Sequence, residues 1–115
     1  MRHDVVALPQ DPRAREVAAT LLQNPADPRE LSDWAAELGV SGKTIARAFA
    51  APGFREWRIQ ARLHAAAGML AQGEDVQHVA TAVGYLTPSS FIAAFKARFG
   101  TTPARYAAQG RYRRA

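Results

Sequence analysis

The chain has 115 residues, 48% of them hydrophobic, which suffices for one packed domain and leaves little for a second core. It holds no cysteine, which excludes disulfides, thiol catalysis and thiolate-bound metal, and no apolar run approaches the ~20 residues that span a bilayer. The formal charge of +5 and the pI of about 10.4 suit nucleic acid or another anionic surface. Alanine is abundant and β-branched runs are missing, so the expected fold is all-α.

Residues 1–10 read as an N-terminal extension whose apolar part is too short for a signal peptide. The expectation is a soluble cytoplasmic protein. Proline, glycine and capping residues divide the rest into about seven helices. Asp11 caps the first, with Pro12 in its first turn and Val17 and Leu21 facing inward. "NPADPRE" is a turn-rich joint in which Asp27 and Glu30 are spaced for a capping box. Leu31, Trp34, Ala35 and Leu38 form the stripe of a second helix, which Gly39 stops. Ser41 caps a third, with Ile45 and Phe49 inward.

After "APG" a long helix runs from about Phe54 to Gln72 and closes at Gly73. Asp75 caps a fifth helix, which Gly84 stops. Thr87 and Pro88 start a sixth, which Gly100 stops, and Thr102 and Pro103 start a short seventh. "GRYRRA" has no packing pattern and reads as a mobile basic tail. The positive excess sits in two places. Residues 54–73 hold three basic and one acidic residue, and residues 101–115 hold four basic and none acidic.

Two blocks repeat. "WAAELGVSGKTIARAF" begins at Trp34 and "VATAVGYLTPSSFIAAF" at Val79. Ala35 and Ala80 each stand four residues before a glycine, Gly39 and Gly84. Ile45 and Phe91 each stand four before an aromatic, Phe49 and Phe95. A small residue lets two helices cross closely, glycine takes a left-handed turn, and a second helix follows at a steep angle. That is a helix-turn-helix, whose second helix can enter the DNA major groove. Two copies bridged by one long helix are far more specific than one.

At these residues the chain resembles the DNA-binding domain of AraC/XylS-type transcription regulators, over roughly Asp11 to Ala108. "VATAVGYLTPSSFIAAFKARFGTTPARY" is similar to that family's second repeat, "LSDWAAELGVSGKTIARAF" to the first, and "EWRIQARLHAAAGMLAQGEDV" to its linker helix. The resemblance implies a first helix-turn-helix subdomain over 11–53, a linker helix over 54–73, a second subdomain over 74–109 and a tail over 110–115. It also implies binding to adjacent major-groove segments of double-stranded DNA. Members usually carry a separate sensor or dimerisation domain, none of which is visible in this sequence. RNA polymerase is a further candidate partner. One departure is a short connection, "FAAPGFREW", with Trp57 eight residues after Phe49. Either the first recognition helix ends early or the linker helix starts differently.

By resemblance Lys43, Ala46 and Arg47 occupy base-facing positions and Thr44 a backbone-facing one. Arg47 can donate two hydrogen bonds to guanine, a contact worth ~1–3 kcal/mol of discrimination. In the second recognition helix Ser89, Ser90 and Ala93 take the base-facing positions, and none is long. They suit thymine methyls, water bridges or phosphates. Lys96 and Arg98 are candidate phosphate contacts. Arg55, Arg58 and Arg62 form a stripe on the linker helix. They are placed to touch phosphates or to pair with Glu56 and other acids, and Arg58 and Arg62 join the DNA-binding set. Most base readout is expected from Lys43 and Arg47, with the second helix mainly positioning. The tail residues Arg111, Arg113 and Arg114 are either solvated or add non-specific affinity.

An enzyme finds no support. His3, His64 and His78 lack metal-ligand spacing, no nucleophile triad or phosphate loop occurs, and no cofactor is implied. The alternative is a protein-interaction module that keeps the fold with weak or no specific DNA binding.

Overall fold

The computed structural model describes residues 6–49 and 53–114. They form seven helices: α1 (Pro12–Gln23), α2 (Leu31–Leu38), α3 (Gly42–Phe49), α4 (Phe54–Ala71), α5 (Val76–Ala82), α6 (Pro88–Phe99) and α7 (Pro103–Arg114).

Local chemistry sets most boundaries. The Asp11 carboxylate accepts from the backbone N–H of Arg13 at 2.8 Å, satisfying an orphan donor of α1. Asp75 does the same for His78 at 3.1 Å, and Thr102 for Arg105 at 3.2 Å. The expected capping box is shifted along the chain. Glu30 is the N-cap of α2, and its backbone N–H donates to Asp33 Oδ2 at 2.8 Å. Asp27 is unavailable as a cap because Arg29 occupies it, through its backbone N–H at 3.0 Å and its guanidinium at 2.7 Å. Those hydrogen bonds hold the Asp27 carboxyl below the ordinary carboxylate range.

The apolar faces gather into two cores where the chain length suggested one, because α4 lends a different stretch to each. The first joins Val17, Leu21, Trp34, Ile45 and Phe49 to the start of α4, through Phe54, Trp57 and Ala61. The second joins the rest of α4, through Leu63, Ala66 and Leu70, to Val79, Val83, Phe91 and Phe95. α4 therefore presents successive stretches to two different partners. Its 18 residues span ~27 Å.

At the short connection the two helices lie close in sequence. α3 reaches Phe49 and α4 starts at Phe54. The rings of Phe49 and Phe54 meet edge to face at 5.1 Å, and Phe49 lies 5.8 Å from Trp57. The Trp57 indole N–H donates to the Ala7 carbonyl at 2.7 Å, which pins the N-terminal extension onto the first core.

The last helix is longer than its sequence suggests. α7 continues through the expected tail to Arg114. Tyrosine, alanine and arginine all tolerate a helix, and the isolated Gly110 costs only about 1 kcal/mol there. The side chains of Arg111, Arg113 and Arg114 lie outside the described residues.

Candidate nucleic-acid interface

Each repeat builds its second helix in the same way. In the first, Ser41 Oγ accepts from the Thr44 backbone N–H at 3.1 Å, and the two hydroxyls meet at 2.8 Å. In the second, Thr87 Oγ1 accepts from the Ser90 N–H at 3.1 Å and donates to Ser90 Oγ at 2.9 Å. Ser90 Oγ in turn donates to the Thr87 carbonyl at 2.9 Å. The cap and third helical positions thus carry paired hydroxyls in both units. The first-turn N–H groups beside them form the positive pole that attracts phosphate.

The inward anchors are equivalent as well. Ile45 and Phe91 are both 0% exposed, and Phe49 and Phe95 pack one turn later. The preceding turns also match: Gly39 and Gly84 both take positive φ, 71° and 97°. This equivalence assigns the outer faces by position. Lys43, Ala46 and Arg47 are all exposed on α3. Among the described residues, neither cation forms an ion pair. Their counterparts on α6 are Ser89, Ile92 and Ala93, also exposed. Lys96 lies one turn past Ile92 and is exposed too.

By the spacing of the repeat, Ser90 is the counterpart of Thr44 and Ile92 that of Ala46, since Ile92 follows Phe91 as Ala46 follows Ile45. Ile92 and the fully exposed Leu86, in the turn before Thr87, are two of four exposed large hydrophobics among the described residues. At the positions of Lys43, Ala46 and Arg47 the second unit therefore carries Ser89, Ile92 and Ala93, with no cation among them.

Two of the linker arginines, Arg58 and Arg62, turn toward the joint between α1 and α2. Arg58 is buried; its guanidinium donates to the Arg29 carbonyl, lies over the Phe54 ring and stands 3.6 Å from Glu30. Arg62 donates through Nε to the Pro25 carbonyl at 2.9 Å and, more weakly, through Nη2 to Asp27 O at 3.4 Å. Burial, with the neighbouring Arg58 cation, lowers the Arg62 pKa from its ordinary value. Both residues serve the α1–α2 joint, because loop carbonyls with no helical partner need donors. Arg55, in the first turn of α4, is the exposed member of the stripe. Arg98 lies in the groove between α6 and α4, beside Glu56, Ile59 and Leu63, apart from Lys96. His78 is exposed, with its Nε2 3.3 Å from Glu74 Oε1.

A sequence model of the helix-turn-helix domain family matches residues 34–109, both repeats and the helix between them. The chain belongs to the AraC-type helix-turn-helix family. This AraC-type domain is 38% identical over 102 residues to the transcriptional regulator RipA of Corynebacterium glutamicum, covering 86% of this chain and 31% of RipA. It is 34% identical over 101 residues to the regulator NimR of Escherichia coli, covering 85% of this chain and 37% of NimR. The chain thus spans about a third of the length of these curated relatives.

Among solved structures, the DNA-binding domain of the transcriptional factor AdpA, in complex with a target DNA, superposes with a TM-score of 0.80 at 29% identity. That likeness covers 91% of this chain and 97% of AdpA's. A DNA-binding transcriptional dual regulator from E. coli gives a TM-score of 0.79 at 25% identity, covering 92% and 97%. The function of such a domain is sequence-specific binding of double-stranded DNA for transcription regulation, not catalysis. No described helix is long and apolar enough to cross a membrane.

Proposed function

We propose that this AraC-type domain reads a bipartite DNA site with two chemically unequal helices. α3 supplies direct readout of guanine-containing sequence, with Arg47 bidentate to O6 and N7, Lys43 on a neighbouring base or phosphate, and Ala46 permitting close approach. α6 reads by shape and apolar contact, with Ile92 against thymine methyls and Ser89 and Ala93 close to the base edges. Thr44, Ser90 and Lys96 face the sugar-phosphate backbone and fix register. The residues 11–53 and 74–109 act as two reading subdomains, with α4 between them and residues 1–10 and 110–115 outside.

The observation that carries this reading is the duplication itself: the same paired-hydroxyl cap starts both recognition helices, and both outer faces are exposed. The 49 Å long axis of the domain can accommodate two contacts one helical turn of DNA apart, ~34–36 Å. With DNA as ligand the protein acts in the compartment that holds it, the cytoplasm of the sequence expectation. RNA polymerase is the protein partner proposed with the role in transcription, to be tested by joint binding on promoter DNA.

Selection of bound sequences from random duplexes at fixed salt tests the reading. The expected result is two short preferences about one helical turn apart, one guanine-containing and one thymine-rich. Affinity for the selected site should fall steeply with salt, and Lys96→Ala should reduce the salt slope by about 1. Binding without sequence preference, or without salt dependence, would favour a protein-interaction module instead.

A further inference from the structure

A shared helix does not by itself set the angle between two subdomains. Each packs on α4 through side chains, and such contacts permit rotation and sliding. A second contact is needed to fix the angle, and one is built into this chain. It joins three parts that are distant in sequence: the α1–α2 joint, the middle of α4 and the turn between α5 and α6.

From α4, Arg58 and Arg62 reach the joint one helical turn apart. They hold the carbonyls of Arg29 and Pro25, with a weaker contact to Asp27 O. From the other side, the turn of the second helix-turn-helix presses on the same group. A Cβ added to Gly84 would lie 3.0 Å from Arg62 Cζ and 3.1 Å from Ala26 Cα. Gly84 therefore does more than permit a left-handed turn. Gly39, its counterpart in the first repeat, also has positive φ, yet a Cβ there would meet nothing within 4 Å. The close approach belongs to the second copy alone, where the turn meets the other subdomain. Tyr85, half-buried beside Gly84, lines an open groove of about 510 Å³ with Arg55, Arg58 and Arg62.

We propose that Arg62, clamped between the Pro25–Asp27 carbonyls and Gly84, is a positioning residue that fixes the angle between the two recognition helices and hence the half-site spacing this domain accepts. The spacing clause rests on the bipartite reading above; the angle clause does not. Arg62 touches no DNA in this role. It acts through the α1–α2 joint, which carries α2 and α3, and through the turn that leads into α6.

The absence of native cysteine makes a direct test simple. Glu16→Cys on α1 and Ala104→Cys on α7 introduce exposed sites for a pair of spin labels, one on each subdomain. The expected distance distribution is narrow in the parent chain. It should broaden or shift in Arg62→Lys, which keeps the cation and loses the forked geometry, and in Gly84→Ala, which pushes on the clamp from the other side. Circular dichroism checks that helix content is retained, and Arg62→Lys suffices where Gly84→Ala does not fold. A merely stabilising arginine would lower the melting temperature and leave the distribution unmoved, and that result overturns the proposal.

The second arm uses the selected site with one base pair inserted between its halves, a shift of about 3.4 Å along the axis. The parent should lose about tenfold in affinity, or 1.4 kcal/mol, while Arg62→Lys should lose less than about threefold. Loss of equal size in both would overturn the spacing clause. A parent indifferent to the insertion, with labels that still broaden in the variants, would uphold the angle clause and remove the bipartite reading.

Discussion

The two helix-turn-helix units share a frame and differ in what they show and how they are held. Both start the recognition helix with paired hydroxyls and bury an apolar residue and an aromatic one turn apart. The first exposes Lys43 and Arg47, while the second exposes Ser89, Ile92 and Ala93 at the same positions. The cores differ in the opposite direction. Around Phe49 the ring contacts run to Phe54 and Trp57, both supplied by the linker helix. In the second, Tyr85, Phe91, Phe95, Phe99 and Tyr106 form a connected series with centroid separations of 4.5–5.9 Å. Such pairs add about 0.5–1.5 kcal/mol each beyond their burial. The unit with the short outer side chains is thus the one with the larger aromatic framework. The two units share what makes a helix start and pack and differ on the outer face, where exposed positions contribute little to stability.

The largest expected effect is at Arg47. Arg47→Ala should cost ~1–3 kcal/mol against the preferred site and relax discrimination at one base position, read by binding to the four substituted duplexes. Ala93 provides the converse. Ala93→Arg places a guanidinium at the position equivalent to Arg47, and should add a guanine preference to the second half-site. Selection with that variant should return a changed second half and an unchanged first, and no change would break the equivalence of the two faces.

Caps come next and should behave alike in both units. Ser41→Ala and Thr87→Ala each remove an N-cap acceptor and should lower stability by about 1 kcal/mol, measured by denaturant unfolding. A cost confined to one unit would show that the shared frame is not energetically shared. Smaller still is the thymine contact. Replacing thymine by deoxyuridine in the second half-site removes one methyl, and should weaken binding by about fourfold, near 0.8 kcal/mol. In Ile92→Ala the same replacement should have no effect.

Asp27 offers a pH test on the joint that supports the first unit. Its carboxyl is held below the ordinary range by Arg29, so its contribution is present above the unfolded pKa and is lost as pH falls through the lower folded pKa. Asp27→Asn should therefore be less stable than the parent at neutral pH. The difference should narrow below pH 3.8, the ordinary carboxylate value, in acid unfolding followed by circular dichroism.

Much of this molecule is legible in one dimension because the deciding interactions are short in sequence. The caps at Asp11, Ser41, Asp75, Thr87 and Thr102 act on backbone donors two or three residues away, and an inward stripe follows from helical period alone. The second helix of each repeat, its order and its exposed face follow from those local rules. What the sequence could not decide lies where partners are remote. Arg58 and Arg62 look like any exposed basic stripe on a helix. Only the packing of the joint against α4 turns them inward, to carbonyls 29 to 37 residues earlier in the chain. Asp27 is the local exception: its partner Arg29 is only two residues on, and competes with the capping role the spacing suggests. An arginine's stem reaches several ångströms in any rotamer, so its partner is chosen by the tertiary arrangement that brings unpaired carbonyls within range. The helices proposed to read DNA are written locally, whereas the contacts of Arg58 and Arg62 exist only in the folded chain.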